Sequence, residues 1–318
     1  MKHKCLYCYK HLKNEIDFHK ACSFSFFDTK EAPKLEYSLA QMSELAKNIV
    51  ERSVSVPGVQ PKLSLSLINE VKSGGHFRPT VVGALGGNYI FKPPSTDYSE
   101  MPQNEHVTMR IAESFGIQTV PSSLIKLESG ELSYITKRVD RTIDGQKIHM
   151  LDMFQITEAF DKYKSSMEKI GKALNEYSDN TVLDKIFFFE LTLFSFLIGN
   201  NDMHLKNFSM IQTTSGWLLA PAYDLLNVAI ANPNDKEELA LTLEGKKSKL
   251  KRVHFESLGK GLNLTNKQTN RVFQRFHKKK DDAIKWIDAS FLSDDMKEKY
   301  KIILNERYAV IFGKINTN

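Results

Sequence analysis

Apolar residues recur along this chain of 318 residues at two different periods, and the change of period divides it. After Ser38, which has the character of a helix N-cap, Leu39, Met42, Leu45, Ala46 and Ile49 fall at helical spacing. From Ser53 to Arg141 the texture turns to strands and turns. Leu63, Leu65 and Leu67 alternate with serines, the period of a half-buried strand. Gly86-Gly87 precedes a further expected strand, Asn88 to Lys92. One helix interrupts, because Val107, Ile111 and Phe115 share a face and Gly116 stands where a terminating glycine belongs. Glu128-Ser129-Gly130-Glu131 predicts a hairpin turn. Beyond about Leu151 helical patterns dominate, apart from a strand-like island from Phe208 to Leu219 broken at Ser215-Gly216. Strands followed by helices predict an α+β fold rather than repeating βαβ units.

Three segments are expected from this reading: a small Cys/His segment over 1–33 ending near Ala32-Pro33, a strand-rich part over 34–141, and a helical part over 142–318. Hydrophobic content of 41% and charged content of 26% are ordinary for a globular protein. The formal net charge of +6 permits an acidic partner without demanding nucleic acid, and no basic recognition helix stands out. The basic runs Lys246–Arg252 and Lys278–Lys280 read as solvated surface. Met1 to His11 has no apolar core of a secretory signal, and the greasiest stretch, Phe187 to Ile198, is too short for a bilayer and carries Glu190. Three cysteines make no disulfide framework, so a reducing, cytoplasmic setting is expected, with no membrane partner.

All three cysteines lie at the N-terminus. Cys5-x2-Cys8 and His19-x2-Cys22 form two knuckles separated by ten residues, a donor set that suits tetrahedral Zn²⁺. The spacing is tighter than in common fingers. Tyr7, Tyr9, Phe18 and Phe24 offer the other reading, an apolar cap that needs no metal.

The densest chemistry lies in Gly199-Asn200-Asn201-Asp202-Met203-His204-Leu205-Lys206-Asn207. An Asp followed five residues later by an Asn has the spacing of a phosphoryl-transfer loop, with the Asp as base and the Asn as a hard oxygen ligand for Mg²⁺. Asp224, seventeen residues beyond Asn207 in Ala220-Pro221-Ala222-Tyr223-Asp224-Leu225, falls where a second metal ligand is expected. Lys92 ends an apolar strand ahead of Pro93-Pro94 and is placed to reach the α- and β-phosphates of ATP, with Glu105, in the first turn of the next helix, as its candidate counter-charge. The stretch from Ser53 through Pro57, Gly58, Val59 and Gln60 to Lys62 has one glycine, poor for cradling phosphate, but its place before the first strand suits a nucleotide lid. Ser53 and Ser55 in such a lid are available for self-phosphorylation.

These motifs together resemble the HipA toxin kinases: Ser-Val-Pro-Gly-Val-Gln-Pro-Lys, Phe-Lys-Pro-Pro, Asn104-Glu105, Lys137-Arg138-Val139-Asp140-Arg141, Asn-Asp-x-His-x-Lys-Asn and Pro-Ala-Tyr-Asp-Leu. The resemblance runs from about Ser53 into the helical part. It implies a two-lobed, protein-kinase-like fold, ATP and Mg²⁺ as cofactors, Asp202 as base, Asn207 and Asp224 on the metal, and Lys92 on the phosphates. It also implies His204, Lys206 and Tyr223 near the nucleotide, with the main chain of Lys137, Arg138 and Val139 as adenine hinge. The chain lacks the β subdomain that precedes the loop in full-length members and in this is similar to the shorter HipT branch, whose self-phosphorylated pair of serines maps to Ser53 and Ser55. The implied partners are a HipS-like small subunit, a HipB-like DNA-binding antitoxin and, as substrate, an aminoacyl-tRNA synthetase. A small-molecule or lipid kinase and an ATP-binding pseudokinase remain the alternatives.

Overall fold

The structure is a computed structural model describing residues 3–13, 16–42, 44, 63–69, 77–82, 87–95, 97–142 and 144–313, the strands at 63–69 and 77–82 by backbone alone. Ser53, Ser55, Pro57, Gly58, Val59, Gln60 and Lys62 lie outside the described residues, as do Leu45, Ala46 and Ile49. The chain forms two compact units. One comprises Met1–His106, Val120–Gln146 and Ala289–Phe291, the other Val107–Thr119, Lys147–Asp288 and Leu292–Asn318.

The first unit is built on a five-stranded antiparallel sheet in the order β2-β1-β3-β5-β4, from β1 (Leu63–Asn69), β2 (Phe77–Val82), β3 (Tyr89–Lys92), β4 (Ser122–Lys126) and β5 (Leu132–Lys137). The alternating serines and leucines form β1, which pairs with β3 at Leu63↔Phe91 and Leu65↔Tyr89. Gly130, at φ 99, supplies the left-handed residue of the turn between β4 and β5. The N-terminal residues belong to this unit. Helix α1 (Lys20–Phe27) turns Phe26 and Phe27 onto Tyr89, with ring centroids 5.9 and 6.3 Å away. Ser38 does cap a helical turn, its hydroxyl accepting from Gln41 N while the Gln41 side chain accepts from Ser38 N.

Helix α2 (Met101–Ser114) runs through the division between the units at His106. Its beginning at Met101 puts Glu105 a full turn in from the end, so the expected first-turn position is corrected and a dipole explanation for this acid does not apply. Val107, Ile111 and Phe115 are fully buried, and Gly116 at φ 81 closes the helix.

The second unit is mostly helical: α3 (Met153–Ile156), α4 (Met167–Tyr177), α5 (Thr181–Ile198), α6 (Val228–Ala231), α7 (Arg252–Gly261), α8 (Asn266–Lys278), α9 (Lys280–Ala289, its last residue grouping with the first unit) and α10 (Asp294–Phe312). The strand-like island is real: β7 (Ser209–Thr213) and β8 (Gly216–Leu219) form a hairpin joined by β6 (Met150–Asp152) into an antiparallel sheet ordered β6-β7-β8. Helix α5 is the core of the unit. Its residues from Phe188 to Ile198 are all buried, which explains a sequence apolar on every side. Glu190 is tolerated there because Arg275 lies 2.6 Å from it. No helix among the described residues is long and apolar enough to cross a membrane.

Candidate active site

The loop after α5 owes its shape to one glycine and two apolar anchors. Gly199, at φ 75, ends the helix in a left-handed conformation, and Asn200 N donates back to Ser195 O at 2.8 Å. Met203 and Leu205 are fully buried, and they alternate with Asp202, His204 and Lys206. Main-chain bonds from His204 N to Asp202 O (2.8 Å) and from Asn207 N to His204 O (2.9 Å) close the loop into a 3₁₀ turn over Leu205–Asn207.

The two residues singled out by their spacing meet directly. Asn207 Nδ2 donates to the main-chain oxygen of Asp202 at 2.8 Å, which commits the amide nitrogen and leaves the amide oxygen as the group for a hard cation. The Asp202 carboxylate is 42% exposed and accepts a hydrogen bond from Tyr163 Oη at 2.8 Å, while His204 Nε2 lies 4.0 Å from the same oxygen. The rings of Tyr163 and His204 pack edge to face at 5.0 Å. Burial pulls the His204 imidazole down to about 4; the Asp202 carboxylate opposes this and Lys162 adds to it. The imidazole is therefore neutral at neutral pH. Burial, followed by the charge and hydrogen bond of Asp202, pushes the Tyr163 hydroxyl well above its ordinary range, so it remains a donor.

Asp224 follows β8. Ala222 N donates to Gln118 O at 2.8 Å and fixes the strand end, after which Asp224 takes φ 56. That conformation is uncommon outside glycine, and aspartate is among the side chains that adopt it most readily. The Asp224 charge is close enough to act on the titration of His204, which brings Asp202, His204 and Asp224 into one electrostatic neighbourhood. Tyr223 Oη donates to Lys206 O at 3.0 Å and accepts from the Ser209 hydroxyl at 2.6 Å, tying β7 to the loop. Lys206 is exposed, its Nζ 4.8 Å above the ring of Phe154.

Three buried polar atoms in this loop have no protein partner: Asn200 Nδ2, Asn201 Oδ1 and His204 Nδ1. Such atoms are places where water or a polar ligand can supply the missing partner. The oxygens of Asn207 and Asp224 fit a Mg²⁺–nucleotide complex in donor chemistry.

In the strand-rich unit, Lys92 and Glu105 are both almost fully buried and their charged atoms lie 2.6 Å apart. Lys92 Nζ also sits 5.3 Å from the ring centre of Tyr134, opposite it on β5. Such a pair is costly to bury, so its presence needs a reason beyond stability. Along the expected hinge, Lys137 N donates to Pro121 O at 3.0 Å and Arg138 N to Asn88 O at 2.8 Å, leaving Val139 as the amide of the three not so committed. Arg138 and Arg141 both grip Asp140, which stays below the ordinary carboxylate range despite burial that works the other way.

Sequence reasoning missed Tyr163. It lies thirty-nine residues before the acid it touches, in an Asp-Lys-Tyr-Lys stretch with no motif, and only the fold brings it to Asp202.

Comparison with known proteins places this site in a family. Residues 54–284 match the model of the HipA-like C-terminal domain. A Haemophilus influenzae protein named "Putative kinase" is 29% identical over 211 residues, covering 62% of this chain and 59% of its own. The serine/threonine-protein kinase toxin HipA of Shewanella oneidensis is 26% identical over 211 residues, covering 60% of this chain and 47% of the toxin. The matches thus span about half the length of the curated relatives. The solved structure of Shewanella oneidensis HipA, in a complex with HipB and operator DNA, superposes with a TM-score of 0.65 at 23% identity, over 80% of this chain and 64% of that one. The fold is accordingly kinase-like and HipA-type, a strand-rich unit and a mostly helical one, and the chain belongs to the HipA-like C-terminal domain family.

Proposed function

We propose that this protein is an ATP-dependent serine/threonine protein kinase, the toxin of a HipBST- or HipBA-like toxin–antitoxin system of the bacterial cytoplasm, with Asp202 as catalytic base. The observation that carries the reading is the pairing of Asp202 and Asn207: the amide nitrogen of Asn207 holds the main chain of Asp202, and the half-exposed carboxylate is oriented by Tyr163. Asp202 accepts the proton of the attacking hydroxyl, a role that requires it ionised. Asn207 and Asp224 would hold Mg²⁺, which neutralises the phosphate charge when bound with ATP. Lys92, kept in place by Glu105, steadies the α- and β-phosphates, and the main chain from Lys137 to Val139 receives the adenine. His204, Lys206 and Tyr223 line the nucleotide side of the loop.

The name of the Shewanella oneidensis relative supports serine and threonine as acceptors. The complex solved for its HipA, with HipB and operator DNA, supports a HipB-like antitoxin partner; no direct DNA binding is expected of this chain. A HipS-like small subunit, self-phosphorylation at Ser53 and Ser55, and an aminoacyl-tRNA synthetase as substrate complete the proposal; they rest on the sequence resemblance to the short-form branch.

The test is to incubate the purified chain with Mg-ATP, alone and with a bacterial lysate, and to map new phosphosites by mass spectrometry. Phosphate should appear on Ser53 or Ser55 and on a synthetase, and Asp202→Ala should lower the rate by about 10²- to 10⁴-fold while leaving the thermal unfolding curve in place. Label on lipids or small molecules alone would favour a kinase of another substrate class. ATP binding without turnover would mark a pseudokinase. An Asp202→Ala variant as active as the parent would remove the base assignment.

A further inference from the structure

The four N-terminal ligand candidates converge. The Sγ atoms of Cys5, Cys8 and Cys22 and a ring nitrogen of His19 all lie within 4.8 Å of one another. His19 Nδ1 is 3.5 Å from Cys8 Sγ and 3.7 Å from Cys22 Sγ. Zn–S bonds near 2.3 Å and Zn–N bonds near 2.0 Å put the nitrogen–sulfur edge of a tetrahedron at roughly 3.6 Å, so these separations already have the size of a coordination shell. None of the three cysteines is in a disulfide, and pairing two would strand the third beside an imidazole.

The surroundings are built to present these atoms. The first knuckle is a tight turn, closed by Tyr9 N to Cys5 O at 2.9 Å and by Cys5 N to Lys10 O at 2.9 Å, with Tyr9 at φ 62. In the second knuckle His19 precedes α1 and Cys22 stands one turn along, the spacing that places two side chains on one helix face. The far nitrogen of His19, Nε2, lies 3.1 Å from the carbonyl oxygen of His11. A carbonyl only accepts, so Nε2 carries the proton and Nδ1 turns its lone pair to the sulfurs. A backbone carbonyl that fixes the tautomer in this way is the usual support of a metal-binding imidazole.

We infer that Cys5, Cys8, His19 and Cys22 form a structural Zn²⁺ site. Four protein ligands leave no open position for chemistry, and three thiolates with one imidazole select zinc over hard cations. The metal supplies what α1 lacks: the helix has eight residues and no side-chain bond at its N-cap, too little to persist alone. Once held, α1 packs Phe26 and Phe27 on Tyr89, and Asp28 at its end lies 2.9 Å from Lys137 Nζ. Zinc therefore secures the packing against the start of β3, the central strand of the sheet, which runs on to Lys92. This site stands independently of the kinase reading.

The test uses the full chain purified without chelators. Elemental analysis should find about one zinc per chain, and replacement by Co²⁺ should give the intense visible bands of a tetrahedral, thiolate-rich centre. Cys22→Ser should lose the metal, and His19→Cys should keep it with a cobalt spectrum shifted toward that of four thiolates. Because Cys22→Ser can also disrupt folding, the parent protein is stripped with a strong chelator: its Tm should drop by more than about 5 °C and recover on adding Zn²⁺. A metal-free, folded parent whose Tm ignores chelator overturns the inference. So does iron in place of zinc, or full zinc occupancy in Cys22→Ser.

Discussion

Burial and charge pull on His204 in opposite directions, and burial wins. The Asp202 and Asp224 carboxylates both favour a protonated ring, yet the imidazole is held at about 4, below its ordinary 6.5. The unfolded chain takes up a proton in that interval that the folded chain refuses. Stability tied to His204 is therefore complete above pH 6.5 and lost as the pH falls toward 4. Histidine-resolved NMR titration should place the midpoint of His204 far below 6.5; a midpoint at 6.5 or above would show that burial does not outweigh the two carboxylates.

At the scale of elements, Gly199 decides where α5 stops and the loop begins. A Cβ there would come within 2.9 Å of both Asn227 Oδ1 and Ile303 Cγ2, on a backbone at φ 75 that side chains disfavour. Gly199→Ala should cost about 1–3 kcal/mol in urea unfolding and displace Asp202, lowering turnover as well as stability; a variant of unchanged midpoint would mean that the turn is less constrained than its geometry shows. This turn was legible beforehand, because a fully apolar helix followed by glycine and a polar run has few other outcomes. So were β1, from the Leu63-Leu65-Leu67 alternation, and the β7–β8 hairpin, from Ser215-Gly216. The buried Lys92–Glu105 contact was suggested by type but misplaced along α2, since no residue near Met101 announces the helix start. Tyr163 was beyond reach, as local pattern carries no information about a partner thirty-nine residues away. The coordination-sized spacing at Cys5, Cys8, His19 and Cys22 was open for the same reason: spacing names the ligands, and only the turn at Tyr9 and the His11 carbonyl orient them.

Over the whole molecule, the first unit takes in Ala289–Phe291, from far along the chain. Lys4 Nζ donates to Ala289 O and Ser290 O, both at 2.8 Å, where α9 ends and its carbonyls lack helical partners. Phe291 packs edge-on to Tyr9, with ring centroids 5.4 Å apart, and lies beneath the Lys4 ammonium. Lys4→Met keeps the aliphatic stem and removes both bonds. It should lower stability by about 1–3 kcal/mol without altering the metal content expected of Cys5, Cys8, His19 and Cys22, and an unchanged urea midpoint would count the contact as incidental.

The contact from Lys4 to Ala289 also sets an order of events during synthesis. Lys4 leaves the ribosome 285 residues before the first of its acceptors. Domains otherwise tend to fold from the N-terminus as they appear. Here the strand-rich unit cannot acquire its full set of contacts until translation has passed Phe291, so a nascent chain stalled before that point would carry that unit incomplete.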